Sequence, residues 1–185
     1  MKLDLITNKA PIVNGVNKND EFYTPSYAIT PLLKYLKPNS KIFCPFDTEE
    51  SNYVKVLSDN GFIVKHSHIF EGEDFFDINK ESLSDIDYII SNPPYSMKGK
   101  VFEHLFTLGI PFAMLVGVVG LFESKARFEM FKNNSFEIMF LSKRVSYFKD
   151  YTEQKTSLNP PFSSIYLCSH ILPDKLIFEE IDKSK

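Results

Sequence analysis

Tryptophan is absent from this chain, and cysteine nearly so: Cys44 and Cys168 are the only two in 185 residues. Two cysteines cannot build the disulfide framework of a small secreted domain, and they are too few for a four-cysteine zinc ribbon. Glycine is scarce too, with 7 residues in all and none between positions 41 and 60. No apolar run reaches the ~20 residues that a helix needs to cross a bilayer; residues 111–121 come nearest. The opening Met1-Lys2-Leu3-Asp4 has no signal-peptide core behind it. These absences lead to the expectation of a soluble, cytoplasmic chain without a membrane segment and without a metal centre.

Aromatic residues fill the gap. There are 18 Phe and 9 Tyr, and the chain is 43% hydrophobic and 24% charged, the balance of a globular protein with a sizeable core. One domain is expected over residues 21–178, with a polar, flexible arm over 1–20 and a tail over 179–185. The net charge of -3 conceals an asymmetry. Residues 41–90 hold 4 Lys against 11 Asp and Glu, whereas residues 97–155 hold 9 Lys and Arg against 6 Asp and Glu. A basic half of this kind can meet a phosphate backbone, although a solvated surface of mixed charge has the same composition.

Periodicity places the elements. Thr24 and Pro25 suit the N-cap and first position of a helix whose apolar face is Ile29, Leu32, Leu33 and Leu36, with Pro31 inside it. Strands are expected over 41–45, 62–69, 86–91, 112–119, 136–141 and 163–169. Helices are expected over 47–60, 100–108 and 123–133, and a loop over 149–161. Strands alternate with helices from residue 41 onward, which argues an α/β fold with a mostly parallel, twisted sheet and helices on both faces. Such sheets take ligands at the carboxyl ends of their strands.

The string that carries chemistry is Asn92-Pro93-Pro94-Tyr95, just beyond the apolar strand that ends at Ser91. The two prolines fix φ and remove N–H donors. The Asn92 amide and the Pro93 carbonyl can then accept hydrogen bonds from one exocyclic amino group. Tyr95 offers a flat face for a base. An aromatic amine such as adenine N6 is a poor nucleophile, because its lone pair is delocalised into the ring. Two acceptors on its hydrogens favour a tetrahedral nitrogen and stabilise the positive charge that grows on it.

This motif resembles the signature of S-adenosylmethionine-dependent amino-methyltransferases, chiefly the DNA N6-adenine methyltransferases of the Dam-like group and their small phage-type members. The likeness runs from about residue 20 to residue 170. It implies a Rossmann-like methyltransferase fold, S-adenosylmethionine as cofactor, a nucleic-acid partner (DNA before RNA) and, for a phage protein, a bacterial host cytoplasm. Asn92, Pro93, Pro94 and Tyr95 become the catalytic candidates. Phe22, Tyr23, Thr24 and Pro25 resemble the N-terminal segment against the methionine part of the cofactor. Asp74, Phe75 and Phe76 resemble the acidic-Phe element at its adenine. The end of the first strand contributes Cys44, Pro45, Phe46 and Asp47, and the strand pattern puts His68 where the family has an acidic residue for the ribose hydroxyls. Pro161-Phe162-Ser163-Ser164 resembles a segment near the end of the phage-type members.

The departures fall on cofactor binding. The family's glycine-rich turn is missing after the first strand, where Phe46 and Glu49 would crowd the approach. An altered cofactor pose is one consequence. A catalytically silent binding module, acting on nucleic acid or a protein partner, is the other, and a homodimer that supplies the missing loop lies between them. Lys98, Lys100, Arg127 and Arg144 are the candidates for phosphate contact. His66 and His68 share a strand face, with no third metal ligand placed by sequence.

Overall fold

The computed structural model describes residues 22–158 and 162–184. The expected arm over residues 1–20 lies outside the described residues. Seven strands form one sheet in the order β2-β1-β3-β4-β8-β5-β9. β1 (Lys41–Cys44), β2 (Ile63–His66), β3 (Tyr88–Ser91) and β4 (Phe112–Gly117) run parallel. β8 (Ser164–Ser169) is antiparallel to both β4 and β5 (Glu137–Leu141), and β9 (Leu176–Glu179) closes the far edge parallel to β5. No helix among the described residues is long and apolar enough to cross a membrane.

The period-two alternation of strand side chains divides the core between the two faces. On one face Ile42, Cys44, Ile90, Ala113, Leu115 and Tyr166 pack against Ala28 and Ile29 of α1 (Ser26–Ile29) and Tyr53 and Leu57 of α2 (Asn52–Asp59). On the other, Phe43, Ile89, Met114, Val116 and Ile165 meet Val101, Phe102 and Leu105 of α3 (Lys98–Leu108) and Phe131 of α4 (Lys125–Lys132). Helices thus cover both faces of a mostly parallel sheet, as the alternation of elements implied. β3, β4 and β8 are buried at every residue, which is why they read as continuous apolar runs.

Several local readings need correction. The first helix is capped by Pro25, not Thr24, and the Thr24 hydroxyl caps nothing. The helix is also short. Pro31 has no N–H for the Tyr27 carbonyl, so the chain tightens into a 3-10 turn over Thr30–Tyr35. β2 stops at His66, so His68 is not on its face; it caps the 3-10 turn Ile69–Glu71 instead. The 149–161 loop is interrupted by β7 (Thr156–Leu158), which pairs with β6 (Tyr147–Phe148) in a hairpin. β9 has no counterpart in the sequence reading: its apolar residues Leu176 and Phe178 face solvent at 56% and 76% exposure. It runs on to Glu179, and Ile181 beyond it is buried, so packing extends past residue 178.

Candidate active site

The chain leaves β1 toward β2 on one side and then crosses to β3 on the other. The carboxyl ends of β1 and β3 therefore flank a topological switch point, where open α/β sheets bind ligands. A narrow cleft, partly open to solvent, lies there. Phe22, Pro45, Phe46 and Phe75 give it apolar walls, and His68, Glu73, Asp74 and Asn92 supply polar groups. Phe46 meets Phe75 edge-on with centroids 5.0 Å apart. His68 Nδ1 accepts from Phe70 N at 3.2 Å, and Asp74 Oδ1 accepts from Phe76 N at 3.0 Å.

Of the residues expected to line a cofactor site, Phe22, Tyr23, Pro45, Phe46, His68, Asp74 and Phe75 border this cleft. Thr24, Pro25, Cys44 and Asp47 are buried behind it. Glu49 is exposed and does not crowd the approach, whereas Phe46 does stand in the wall. Phe76 of the acidic-Phe element borders it too, whereas the reading by sequence missed Ile69, Glu73 and Met97, which also line the cleft. Their signal is weak, because they lie in 3-10 turns and loops without a period.

Asp47 is the least ordinary residue behind the wall. Its carboxylate is enclosed between β1 and β3 and accepts from the hydroxyls of Ser51 and Ser91. Burial raises its pKa from 3.8 to about 6, against the opposing pull of the two serines and of His66. Ser51 is the N-cap of α2 and accepts from Tyr53 N at 3.1 Å. The next residue, Asn52, donates from Nδ2 to Thr24 O at 2.9 Å.

Asn92 lies immediately after β3. Its Nδ2 donates to Phe22 O at 2.7 Å, which fixes which way the amide faces. Its Oδ1 is buried with no hydrogen-bond partner. A buried acceptor left open in a cleft is unusual and points to a missing donor. The Tyr95 ring packs against Phe22 at 4.9 Å and Phe162 at 5.2 Å between centroids. Gly117, at the end of β4, makes room for these rings: a Cβ there would lie 2.5 Å from Phe162 Cε2 and 2.9 Å from Tyr95 Cε1.

The basic candidates do not converge. Lys98 Nζ donates to Val119 O at 2.8 Å and sits 5.5 Å from the Tyr95 centroid. Lys100 and Arg127 share a groove between α3 and α4 with Glu103 and Glu129, so its charge is mixed. Arg144 is exposed between β5 and β6. Among the described residues no group of three or more His, Cys, Asp and Glu is placed to hold a metal ion.

No family model matches the chain, and no curated protein does. Solved structures do. One is the modification subunit of a putative type I restriction enzyme from Vibrio vulnificus YJ016, at TM-score 0.52 and 13% identity over 90% of this chain and 49% of that one. Another is the methyltransferase subunit of the type I restriction-modification system of Streptococcus thermophilus, at TM-score 0.48 and 13% identity over 86% and 47%. The chain spans about half the length of these neighbours. Taken with the strand order, the first of them shows that this chain shares the Rossmann-like α/β fold of that subunit.

Proposed function

We propose that this chain transfers a methyl group from S-adenosylmethionine to the N6 amine of adenine in DNA. The observation that carries the reading is Asn92. Phe22 O holds its Nδ2, so its Oδ1 is left as an unpaired acceptor at the carboxyl end of β3. An N6 hydrogen is the donor that such an acceptor suits. Asn92 Oδ1 would take one N6 hydrogen, and Pro93 would present its carbonyl to the other. The amine lone pair would then be free to take the methyl group from a bound sulfonium cofactor, which would leave as the neutral thioether, and the extra N6 proton would pass to solvent. No strong base is needed, since the methylated ammonium is a strong acid. Tyr95 would stack on the base. Its ring is packed by Phe22 and Phe162, so base entry requires one of these to yield.

The cleft suits the cofactor in chemistry. S-adenosylmethionine supplies the methyl group as an activated electrophile. Phe46 and Phe75 would enclose its adenine, His68 and Asp74 would meet its hydroxyls, and Phe22 would line its methionine end. The likeness to a restriction-enzyme modification subunit points the same way. One observation favours the second reading, a silent binding module: Pro45 and Phe46 stand where a glycine turn would let the backbone come close.

Calorimetric titration with S-adenosylmethionine and S-adenosylhomocysteine separates the two. Micromolar binding is expected from an enzyme. A folded protein that binds neither at millimolar concentration would overturn the proposal in favour of the module.

A further inference from the structure

Four hydrogen bonds beside the cleft close on themselves. Asn92 Nδ2 donates to Phe22 O. Two residues on, Thr24 O accepts from Asn52 Nδ2. Asn52 follows Ser51, whose hydroxyl donates to Asp47 Oδ1. Asp47 Oδ2 accepts from the hydroxyl of Ser91, the residue before Asn92. The circuit links the ends of β1 and β3, the start of α2 and the segment over residues 22–24. Thr24, Asp47, Ser51, Asn52 and Ser91 are all at most 6% exposed.

We propose that Asp47 is a positioning residue, closing a hydrogen-bonded ring that holds the Asn92 amide in register with the 22–24 segment. Its effect on turnover rests on the methyl-transfer reading; the ring itself does not. A buried carboxylate is a poor way to gain stability, since well-packed apolar groups commonly do as well. It is a good way to tie two strand ends together, because an ionised carboxyl accepts on both oxygens. Each serine has one hydroxyl proton, and both are committed to Asp47. The ring thereby fixes the β1 exit against the turn that begins at Asn92.

Protonation reorganises the ring. A proton on either Asp47 oxygen reverses one of its two bonds: the acid then donates to that serine, whose own hydroxyl proton must turn to another acceptor. The groups facing Asp47 are Cys44 of β1, His66 of β2, Tyr53 of α2 and Tyr166 of β8. Burial pushes the thiol and both phenols up, so they stay neutral, which leaves His66 as the facing group to control for.

The test follows the side-chain amide resonances of Asn52 and Asn92 in ¹⁵N-labelled protein from about pH 5 to about pH 8. Wild type, Asp47→Asn and His66→Gln are compared. Both amides should move together with a midpoint near 6 in wild type and in His66→Gln, and stay flat in Asp47→Asn. Amides that stay flat in wild type, or whose movement vanishes in His66→Gln, would overturn the ring. On the kinetic side, Asp47→Ala should lower kcat about 10- to 100-fold with cofactor affinity nearly unchanged, and Asp47→Asn should restore most of it. If Asp47→Ala does not fold, Ser91→Ala takes its place with the same expectation. Coupled amides without any methylation would sink the methyl-transfer reading alone. Flat amides in a protein that methylates DNA would sink the ring alone.

Discussion

Replacing Asp47 by asparagine should make the protein more stable at pH 8, not less. The carboxyl is raised from 3.8 to about 6 by burial. That displacement corresponds to about 3 kcal/mol of preference for the neutral form in the folded state. The folded state binds the proton more tightly than the unfolded chain, so stability falls as pH rises from about 3.8 to about 6 and levels off above. Below the unfolded value both states hold the proton and the penalty vanishes. Asparagine has the shape of the protonated acid. Its Oδ1 can accept from one serine, and its Nδ2 can donate to the hydroxyl oxygen of the other. At pH 8 the variant should gain up to about 3 kcal/mol, or about 6–12 °C in melting temperature for a chain of this size. The gain should disappear near pH 4. Thermal melts of both proteins followed by circular dichroism across this range give the difference directly. A variant that melts below wild type at pH 8, with an unchanged dependence on pH, would refute the reasoning: it would mean that the two serine bonds outweigh the burial of the charge.

Other perturbations probe different parts of the account. Gly117→Ala places a Cβ 2.5 Å from Phe162 and 2.9 Å from Tyr95, so both rings must shift. It should cost about 1–3 kcal/mol in urea unfolding and weaken turnover more than cofactor binding. Glu137 is buried and accepts from the backbone N–H groups of His170, Ile171 and Leu172. Glu137→Ala should therefore cost about 3 kcal/mol or more by the same measurement, and a loss under about 1 kcal/mol would contradict that role. Cys44 and Cys168 are buried and their thiols are pushed up, so neither should react with a thiol reagent at neutral pH until the protein is unfolded.

Buried strands announce themselves in the sequence, and edges do not. Ile89-Ile90 and the run from Phe112 to Val116 are apolar on both faces because helices cover both, and their place in the sheet could be read directly. β9 escaped because Leu176 and Phe178, the letters that suggest a core, are the ones facing solvent. The β6–β7 hairpin escaped because a two-residue strand carries no period. In the candidate site, the turn at residues 92–95 was legible because Asn-Pro-Pro-Tyr is a run of adjacent side chains. The groups that orient it were not. Phe22 acts on Asn92 through its carbonyl oxygen, and a backbone atom has no letter. Lys98 is tied to the Val119 carbonyl, again a backbone atom without a letter. Asp47, Ser51 and Ser91 are ordinary polar letters until the sheet brings positions 44 residues apart together.

The central claim is that Asn92 Oδ1 waits for an amine hydrogen of adenine. The direct measurement is to incubate the protein with S-adenosylmethionine and adenine-containing DNA, digest the DNA and quantify N6-methyldeoxyadenosine by mass spectrometry. Wild type should produce it, and Asn92→Ala should produce at least about 100-fold less while still binding the cofactor. Equal methylation by the two proteins, or a methyl group found on a base other than adenine, would contradict the account.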